Sequence, residues 1–253
     1  MSLSYVPYIT SICGGCLTAE NWANVGIETV ACSLQALLTR PGYEFLKELL
    51  SLKKYFGWSG KLIVDGRLPH KLTPAIYTWT SPYDGKKIQF SADKCLALIN
   101  CLEFDFLILP ENIQTTSSEV INTDKQILSN LADCRALKNV LPFLTADCIN
   151  ESFWNPVESS LSSEKAGYWI TDFPAEQALL GCVYSADGLI DLSAAEMAEQ
   201  FSPIAPDCTC PTCMLGATRA YLHYLLQSTP LLCHRLLIQH NAYNFQKRIA
   251  TIS

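Results

Sequence analysis

Three cysteines lie within six residues of the chain, at Cys208, Cys210 and Cys213. A Cys-x-Cys-x-x-Cys pattern this tight leaves no room for a disulfide framework, but it suits a tetrahedral site for a soft cation. Zinc accepts three thiolates and one imidazole with no redox change, and turns around Pro211 would aim the three sulfurs at one point. We therefore expect the chain to fold so that these three positions converge.

The fourth ligand is less constrained by spacing. His240, 27 residues beyond Cys213, can supply it if the intervening chain folds back as a pair of helices. His223 and His234 lie in the same stretch and are rival ligands, or alternatively phosphate contacts. The cysteines could instead be small buried hydrophobic side chains, but packing does not explain their spacing. We expect a structural Zn²⁺ site.

The composition is that of a globular protein with a full core. The chain has 253 residues, of which 49% are hydrophobic and 17% charged. Its N-terminus has no basic segment followed by an apolar one, and no apolar run reaches the length of a membrane span, so we expect no membrane association. Twelve cysteines in a chain this long favour a reducing cytoplasm, with the nine outside the motif mostly unpaired.

The net charge of -6 argues at first against a nucleic-acid partner. The first 207 residues carry 14 basic and 24 acidic side chains, whereas Cys208 to Ser253 contains no Asp or Glu. The basic side chains of this acid-free segment, which are the ones we expect to contact nucleic acid, are Arg219, Arg235, Lys247 and Arg248. The distribution of charge therefore leaves nucleic-acid binding open.

Short β-branched or aromatic runs alternate with amphipathic stretches, which is typical of βα units around a parallel sheet. The predicted strands are residues 5–10, 27–32, 61–65, 105–109, 140–145, 167–171 and 188–192, with a hairpin at 76–80 and 86–90. Helices are expected to begin near residue 18 and to span 41–55, 91–102, 123–137, 174–185 and 194–201. We expect one α/β domain of the (β/α)8 TIM-barrel type over residues 1–253, with one βα unit reduced, and a zinc-binding subdomain at 205–245.

Carboxylates close several of the predicted strands. The chemistry of such barrels lies where the strands end, and two carboxylates on one substrate allow covalent attack by one and proton transfer by the other. Each acid could equally cap a helix or hold a nearby amide, and composition does not choose among them. The candidates are Asp65, Glu111, Asp147, Asp172 and Asp191.

Other features carry less weight. Cys13 and Cys16 have a metal or redox spacing, but no second pair completes it. His70 lies in a proline-flanked loop that is more typical of a surface histidine than of a base. Walker, G-x-G-x-x-G and G-x-S-x-G motifs are all missing from the sequence, which argues against nucleotide hydrolysis, dinucleotide binding and α/β-hydrolase chemistry.

Taken together, the motifs resemble those of the tRNA-guanine transglycosylase (queuine tRNA-ribosyltransferase) family. The segment with Cys208, Cys210 and Cys213, then Arg219-Ala-Tyr, then His240-Asn241, is similar to the family's zinc motif. Upstream, Arg40-Pro41-Gly42, Phe56-Gly57-Trp58 and the hairpin around Asp84-Gly85 are similar to family stretches. The resemblance covers most of the chain and is strongest at its C-terminal end.

The resemblance implies a function and assigns residues to it. Members are zinc-bearing barrels that exchange a guanine in nucleic acid for a 7-deazaguanine base, so a tRNA or DNA partner and a homodimer or heterodimer are implied. It implies Cys208, Cys210, Cys213 and His240 as the zinc ligands. It also implies Asp191 as the nucleophile and Asp65 as the acid/base that handles the base.

The sequence departs from the family pattern in places that matter for activity. The Ser-Gly-Gly after the aspartate at position 65 and the Cys-Val-Leu-Pro-Thr-Arg run after the nucleophile are not kept, and the family's glycine-rich base-binding loop has no match. Two further hypotheses therefore stand beside a tRNA enzyme. One is a non-catalytic zinc-bearing partner subunit, and the other is an enzyme that acts on DNA.

Overall fold

The computed structural model describes residues 3–69, 76–109, 126–130, 141–144 and 167–252. The chain divides into two compact units, of which the first is formed by Met1–Glu28 together with Leu144–Ser253, and the second by Thr29–Phe143. The second unit is therefore continuous in sequence, whereas the first is assembled from both ends of the chain.

A parallel sheet forms the centre of the second unit. Its described strands are β2 (Thr29–Ser33), β3 (Lys61–Asp65), β6 (Phe106–Ile108), β7 (Gln126–Asn130) and β8 (Leu141–Leu144). They pair in the order β8-β7-β6-β3-β2. The interior of β3 is a continuous apolar run, Leu62-Ile63-Val64, that is fully buried, as expected of a strand covered on both faces.

The helices of the second unit are short at its start and longer near its middle. They are α2 (Leu34–Leu37), α3 (Tyr43–Leu46), α4 (Leu52–Phe56) and α5 (Ala92–Cys101). The prediction of a single helix over residues 41–55 is wrong, because this stretch forms two separate helices, α3 and α4. The side chain of Ser51 caps the start of α4, and Gly57 ends it with φ of 66°, a left-handed conformation that favours glycine.

An antiparallel hairpin leaves the parallel sheet of the second unit, as predicted. Its strands are β4 (Ile76–Thr80) and β5 (Lys87–Ser91), with Thr80 paired to Lys87 at the turn and Ile76 paired to Ser91 at the base. Ser91 also caps the start of α5 by accepting a hydrogen bond from the Lys94 amide. The prediction of a hairpin followed by a helix is confirmed.

In the first unit, β1 (Ser4–Val6) pairs in parallel with β9 (Tyr168–Ile170), and the last helix, α9 (Pro230–Ile252), covers this pair. The ring of Phe245 lies 4.9 Å from that of Tyr5 and 5.3 Å from that of Trp169. The Gln246 side chain accepts a hydrogen bond from the Tyr5 amide at 2.9 Å. Helix α9 is thereby fixed to the first strand of the chain.

The described residues of the first unit form six further α-helices and strands. They are α1 (Ala19–Asn24), α6 (Phe173–Leu179), the hairpin strands β10 (Cys182–Ser185) and β11 (Gly188–Asp191), α7 (Pro211–Met214) and α8 (Arg219–Ser228). The side chain of Thr18 caps α1, as predicted.

Two helix predictions are wrong besides the one for 41–55. The helix predicted for 174–185 ends at Leu179, because Gly181 turns the chain with φ of 81° and β10 follows. The helix predicted for 123–137 is contradicted where it is described, since Gln126–Asn130 forms β7. Isolated apolar runs are compatible with either a buried strand or a helix segment, which accounts for the second error.

The α/β class is confirmed by the parallel pairings within each unit. Across the described residues these pairings form open sheets rather than a closed barrel, so barrel closure stays a prediction. In the described part of the chain, every helix is too short or too polar to cross a lipid bilayer.

Candidate metal centre and carboxylate sites

The three cysteines are brought together by the start of helix α7. Cys210 is the N-cap of this helix, Pro211 occupies its first position, and the Cys213 amide donates to the Cys210 sulfur at 3.3 Å. Proline suits this position because the first helical amide has no partner within the helix. The Thr212 hydroxyl donates to the carbonyl of Leu236 at 2.6 Å, which ties α7 to α9. Local helix capping therefore orients the sulfurs.

His240, on α9, completes the cluster. Its Nδ1 atom lies 3.8 Å from the sulfur of Cys208, 3.4 Å from that of Cys210 and 3.3 Å from that of Cys213. The four ligand atoms all lie within 4.8 Å of one another. Tetrahedral zinc bonds of about 2.3 Å to sulfur and about 2.0 Å to nitrogen place sulfur and nitrogen roughly 3.5 Å apart. The residues present fit a zinc ion held in a closed Cys3His site.

The orientation of the His240 ring is fixed from its other nitrogen. Nε2 donates to the carbonyl oxygen of Tyr184 at 2.7 Å, which leaves Nδ1 and its lone pair facing the sulfurs. A backbone carbonyl on the second ring nitrogen is the usual way in which proteins orient a metal-binding histidine. Asn244 adds a contact of 3.5 Å from its side-chain amide to the sulfur of Cys208. The site thus has supporting contacts as well as ligands.

Burial and electrostatics at this centre also suit a cation. Cys210 and His240 are both 0% exposed. Burial lowers the pKa of the His240 imidazole, but the thiols of Cys208 and Cys210 and the Tyr184 carbonyl stabilise its positive form and bring the pKa to about 9. Surroundings that stabilise positive charge favour a bound metal ion over a neutral buried group.

The rival histidines lie elsewhere. His223 places Nδ1 2.8 Å from the Leu192 carbonyl and Nε2 2.9 Å from the Gln227 amide, so both ring nitrogens are in use. His234 is half-buried and lines a cavity of about 280 Å³ together with His223. Burial lowers the pKa of His234. Of the three tail histidines, only His240 joins the three sulfurs among the described residues.

Asn241, next to the fourth ligand, is buried and fixes the hairpin strand β10. Its side-chain oxygen accepts from the Tyr184 amide at 3.1 Å, and its side-chain nitrogen donates to the carbonyls of Pro174 and Cys182 at 3.0 and 2.9 Å. Three hydrogen bonds satisfy a fully buried amide, so the residue stabilises rather than strains the unit. The His-Asn pair therefore joins the metal centre to β10 and α6.

Asp65 lies at the carboxyl end of β3, as predicted, and is only 6% exposed. Arg67 donates to both carboxylate oxygens of Asp65, from Nε to Oδ1 at 2.9 Å and from Nη2 to Oδ2 at 2.6 Å. The Arg67 amide also donates to Oδ1 at 3.0 Å. The carboxylate is thus in the expected place at a strand end, and it is paired with an arginine that the sequence pattern did not single out.

Asp191 occupies a different kind of position. It ends β11, in the antiparallel hairpin rather than in a parallel sheet, and it is exposed. Its Oδ1 accepts from the amide and the hydroxyl of Ser193 at 2.8 and 2.6 Å, the pattern of a turn-forming aspartate. These contacts favour a local structural role.

Asp172, another strand-end acid in the sequence, has the environment of a reactive group. It follows β9, a parallel strand, and its Oδ1 accepts from the Tyr8 amide at 3.1 Å. Burial raises the pKa of Asp172 to about 6, and the nearby Glu176 adds to this, while hydrogen bonds from Ser11 and Tyr8 oppose it. Perturbed carboxylates at parallel strand ends are candidate catalytic groups. Its strand-end position was the sequence signal for it.

The weaker candidates divide between described and undescribed parts of the chain. Glu111, Asp147 and His70 lie outside the described residues. Burial is the main cause that raises the pKa of the Cys13 thiol to about 11, and the pKa of Cys16 is also raised, so neither cysteine has the low pKa typical of a reactive thiol.

The four basic residues of the tail differ in what they contact. The guanidinium of Arg219 donates to the carbonyls of Pro203 and Ile204 at 3.1 and 3.0 Å, which is a structural use. Arg235 and Lys247 are exposed, and Arg248 is half-buried. Arg219, Lys247 and Arg248 line one cavity of about 380 Å³ that also reaches Cys208. The structure therefore places three of these side chains around one cavity beside the metal centre.

Comparisons with known proteins relate this geometry to one family. The family model described as "Queuine tRNA-ribosyltransferase" matches residues 170–253. A queuine tRNA-ribosyltransferase of Sorangium cellulosum is 39% identical over 70 residues, which cover 28% of this chain and 18% of that protein. One from Dinoroseobacter shibae is 32% identical over 74 residues, 29% of this chain and 19% of that protein.

A longer alignment extends the similarity to most of the chain. A queuine tRNA-ribosyltransferase of Thermotoga neapolitana is 22% identical over 304 residues, covering 94% of this chain and 82% of that protein. The alignment is longer than the 253-residue chain, so it includes segments of that relative for which this chain has no counterpart. The resemblance to the queuine tRNA-ribosyltransferase family is confirmed, and the family model matches the end of the chain that holds the Cys3His cluster.

Proposed function

Starting from this relation to the queuine tRNA-ribosyltransferases, we propose that the protein exchanges a guanine base in nucleic acid, most directly tRNA, for a 7-deazaguanine base. The observation that carries the proposal is the Cys3His cluster with its oriented His240, within the segment matched by the family. The proposal includes a single (β/α)8-type barrel over residues 1–253, with residues 205–245 as its zinc-binding part.

Base exchange requires that the target nucleotide leave its stack and enter a pocket. A carboxylate then attacks C1′ of the ribose, the C1′–N9 bond breaks, and guanine leaves with a proton from an acid. The incoming base loses a proton to the same group, attacks C1′, and displaces the carboxylate. We propose Asp65 as this acid/base, and its ion pair with Arg67 must open when it handles a base.

For the nucleophile we propose Asp172 in place of Asp191. Asp172 follows a parallel strand, is half-buried, and has a pKa of about 6, so that it is ionised at neutral pH and has a desolvated, reactive carboxylate. The exposed, turn-forming Asp191 remains the alternative that the family resemblance assigns. The two residues make different predictions, given in the Discussion.

The proposed metal is structural zinc. Cys208, Cys210, Cys213 and His240 would hold it, and with four protein ligands it leaves no open position for a substrate. What it supplies is rigidity, by fixing α7 to α9 near the cavity lined by Lys247 and Arg248. We propose these two side chains and the exposed Arg235 as phosphate contacts, and we assign Arg219 to positioning because its guanidinium holds backbone carbonyls.

The setting that we propose is the cytoplasm, in a homodimer or heterodimer. The ten cysteines in the described residues form no disulfide with one another, which is consistent with a reducing compartment. Exposed apolar side chains on α8 and at the start of α9, among them Tyr221, Tyr224, Leu231 and Leu232, offer surface for association.

The decisive experiment is covalent trapping on a denaturing gel. The protein is incubated with labelled guanine-containing RNA or DNA and a 7-deazaguanine base, and shifted bands are scored. A band with RNA supports the proposal, and a band with DNA alone assigns the enzyme to DNA. Absence of a band with both, together with full zinc content, supports the non-catalytic partner subunit, which the missing base-binding loop favours.

A further inference from the structure

A second basic stretch lies far from the metal centre in sequence. Ten basic and only five acidic side chains fall between Arg40 and Lys94, in a chain whose net charge is -6. The whole stretch belongs to the second unit. A local excess of positive charge in an acidic protein favours an anionic partner. Without such a partner, the neighbouring cations only repel one another.

The β4–β5 hairpin and the segment before α3 carry the part of this stretch that forms one surface. The indole nitrogen of Trp79, on β4, donates to the hydroxyl of Thr39 at 2.7 Å. The ring of Tyr43 packs edge-on against Phe90 of β5 with centroids 5.3 Å apart. Residues 39–43 therefore lie along the hairpin.

Cations and aromatic rings alternate on this surface. The guanidinium of Arg40 lies 5.4 Å from the centroid of the Tyr83 ring, and Nζ of Lys94 lies 5.7 Å from that of Tyr43. Tyr83 is 67% exposed, and Arg40 and Lys94 are exposed as well. Lys87, at the start of β5, is also exposed, but its side chain lies on the opposite face of the hairpin, because side chains alternate along a strand and Phe90, three residues on, faces residues 39–43. We call Arg40, Tyr43, Tyr83 and Lys94 the hairpin face.

The acidic side chains near the hairpin face do little to neutralise it. Asp84, at the hairpin turn, is paired with Lys86 at 3.1 Å. Asp93 lies in the first turn of α5, where a carboxylate interacts favourably with the helix dipole. Within the described part of the chain, the ion pairs involve neither Arg40 nor Lys94, so aromatic rings and solvent surround these two charges.

We propose that the hairpin face binds a single-stranded stretch of polynucleotide, with phosphates on Arg40 and Lys94 and a base stacked on Tyr83. This combination of a basic surface and an exposed ring is the one that binds single strands, because every base has a π-face and every linkage a negative charge. The inference rests on the proposed function, to which it adds a second contact surface for the same substrate. An acidic surface of a second copy of the chain is the competing partner.

The test uses fluorescence anisotropy with fluorescein-labelled single-stranded RNA and DNA of one sequence, about 12 nucleotides long, over roughly 0.05 to 0.2 M KCl. Tyr83→Ala is expected to weaken binding by about fivefold to a hundredfold, the range for loss of one base–aromatic stack. Tyr83→Phe, which keeps the ring, should bind as the native chain does. Lys94→Ala should lower the slope of log K against log salt by about 0.7, the value for one phosphate contact on a single strand.

Two matched controls separate the face from general effects. Phe201→Ala removes an exposed aromatic ring outside the face, and Lys47→Ala removes an exposed lysine that is already ion-paired with Glu44. Binding of RNA, DNA or both that is lost in Tyr83→Ala and kept in the controls supports the proposal and identifies the polynucleotide. Lack of binding by the native chain, or equal losses in face and control variants, overturns it.

Light scattering on the same variants addresses the competing partner. A change of mass in Tyr83→Ala or Lys94→Ala with unchanged oligonucleotide binding would assign the face to a second copy and overturn the proposal. Since anisotropy requires no base exchange, the face can bind in a chain that fails to exchange bases. Conversely, if every variant of the hairpin face still exchanges bases and still binds the oligonucleotides as the native chain does, the hairpin-face proposal is contradicted and the proposed base exchange is not.

Discussion

The Nε2 atom of His240 lies 2.7 Å from the carbonyl oxygen of Tyr184, and this hydrogen bond decides which ring nitrogen faces the three sulfurs. The backbone amide of Tyr184 donates to the side-chain oxygen of Asn241 at 3.1 Å. Two consecutive residues of α9 thus hold both backbone polar groups of one residue of β10. The geometry of the metal centre therefore depends on a hairpin that supplies none of its ligands.

Replacing a buried ligand should remove the metal. Cys210→Ser is expected to lose bound zinc and to lower the melting temperature by several degrees, since a loss of about 1 kcal/mol shifts a protein of this size by roughly 2–4 °C. Metal content by mass spectrometry and thermal unfolding measure both. Cys101→Ser, at an exposed cysteine, is the matched control. Full zinc content in Cys210→Ser would remove that residue from the ligand set.

Asn241→Ala should destabilise the first unit without removing a ligand. The change removes the hydrogen bonds that Asn241 makes with the Tyr184 amide and with the carbonyls of Pro174 and Cys182, and the loss of a buried hydrogen-bond partner costs about 1–3 kcal/mol. We expect a loss of several kcal/mol in the free energy of unfolding, measured by urea denaturation. Gln200→Ala, on an exposed side chain, should be neutral. An Asn241→Ala protein as stable as the native chain would contradict the bridging role.

Asp172→Asn should abolish base exchange while raising stability at neutral pH. The folded pKa of about 6 exceeds the ordinary 3.8, so the native state binds the proton more tightly than the unfolded state. The contribution of Asp172 to the free energy of unfolding is therefore fully present at pH below its ordinary pKa of 3.8, and it is lost as the pH rises through the folded pKa of about 6. At pH above the folded pKa of Asp172, we expect the free energy of unfolding of Asp172→Asn to exceed that of the native chain by about 1–2 kcal/mol. At acid pH the two proteins should be equally stable.

The pH profile gives an independent check on the nucleophile. Because attack requires the carboxylate form, kcat/KM should fall as pH drops through about 6, with zinc content unchanged. Asp191→Asn should alter neither the profile nor exchange. Loss of the covalent band in Asp191→Asn with a normal Asp172→Asn protein would return the role to Asp191.

The Asp65–Arg67 pair should be strongly coupled. Arg67→Ala leaves a carboxylate that is 6% exposed without its bidentate partner, so we expect a loss of about 3 kcal/mol in stability, and Asp65→Asn should abolish exchange. The double variant should be more stable than the sum of the single changes predicts. A double-mutant cycle by chemical denaturation measures this coupling, and additive effects would show that the pair contributes little.

The metal centre was predictable because its chemistry is local: three ligands lie within six residues, at a spacing typical of zinc sites. The strands of the second unit were predictable for a similar reason, since β3 is a buried apolar run that ends in a carboxylate. Position 181 shows the limit. A glycine there ends α6 early, and the apolar residues that follow form β10, although their spacing also fits a helix.

The choice among carboxylates was harder for a different reason. Asp172 and Asp191 both end strands, but one follows a parallel strand and the other an antiparallel hairpin, and strand partners are not visible in a single sequence. Likewise, the guanidinium of Arg219 was interpreted as a phosphate contact because the sequence does not show that it holds two backbone carbonyls. The sequence shows which side chains are charged, but the groups that each charged side chain contacts are set by the tertiary structure.

The division of the first unit between both ends of the chain has a consequence for biosynthesis. Strand β1 is synthesised before the whole of the second unit, whereas its partner β9 and the covering helix α9 are synthesised after it. The continuous second unit can therefore fold during translation, while β1 has no partner strand until Tyr168–Ile170 has been made. Nascent chains stalled before α9 should accordingly protect the second unit from protease and leave β1 open to chaperones.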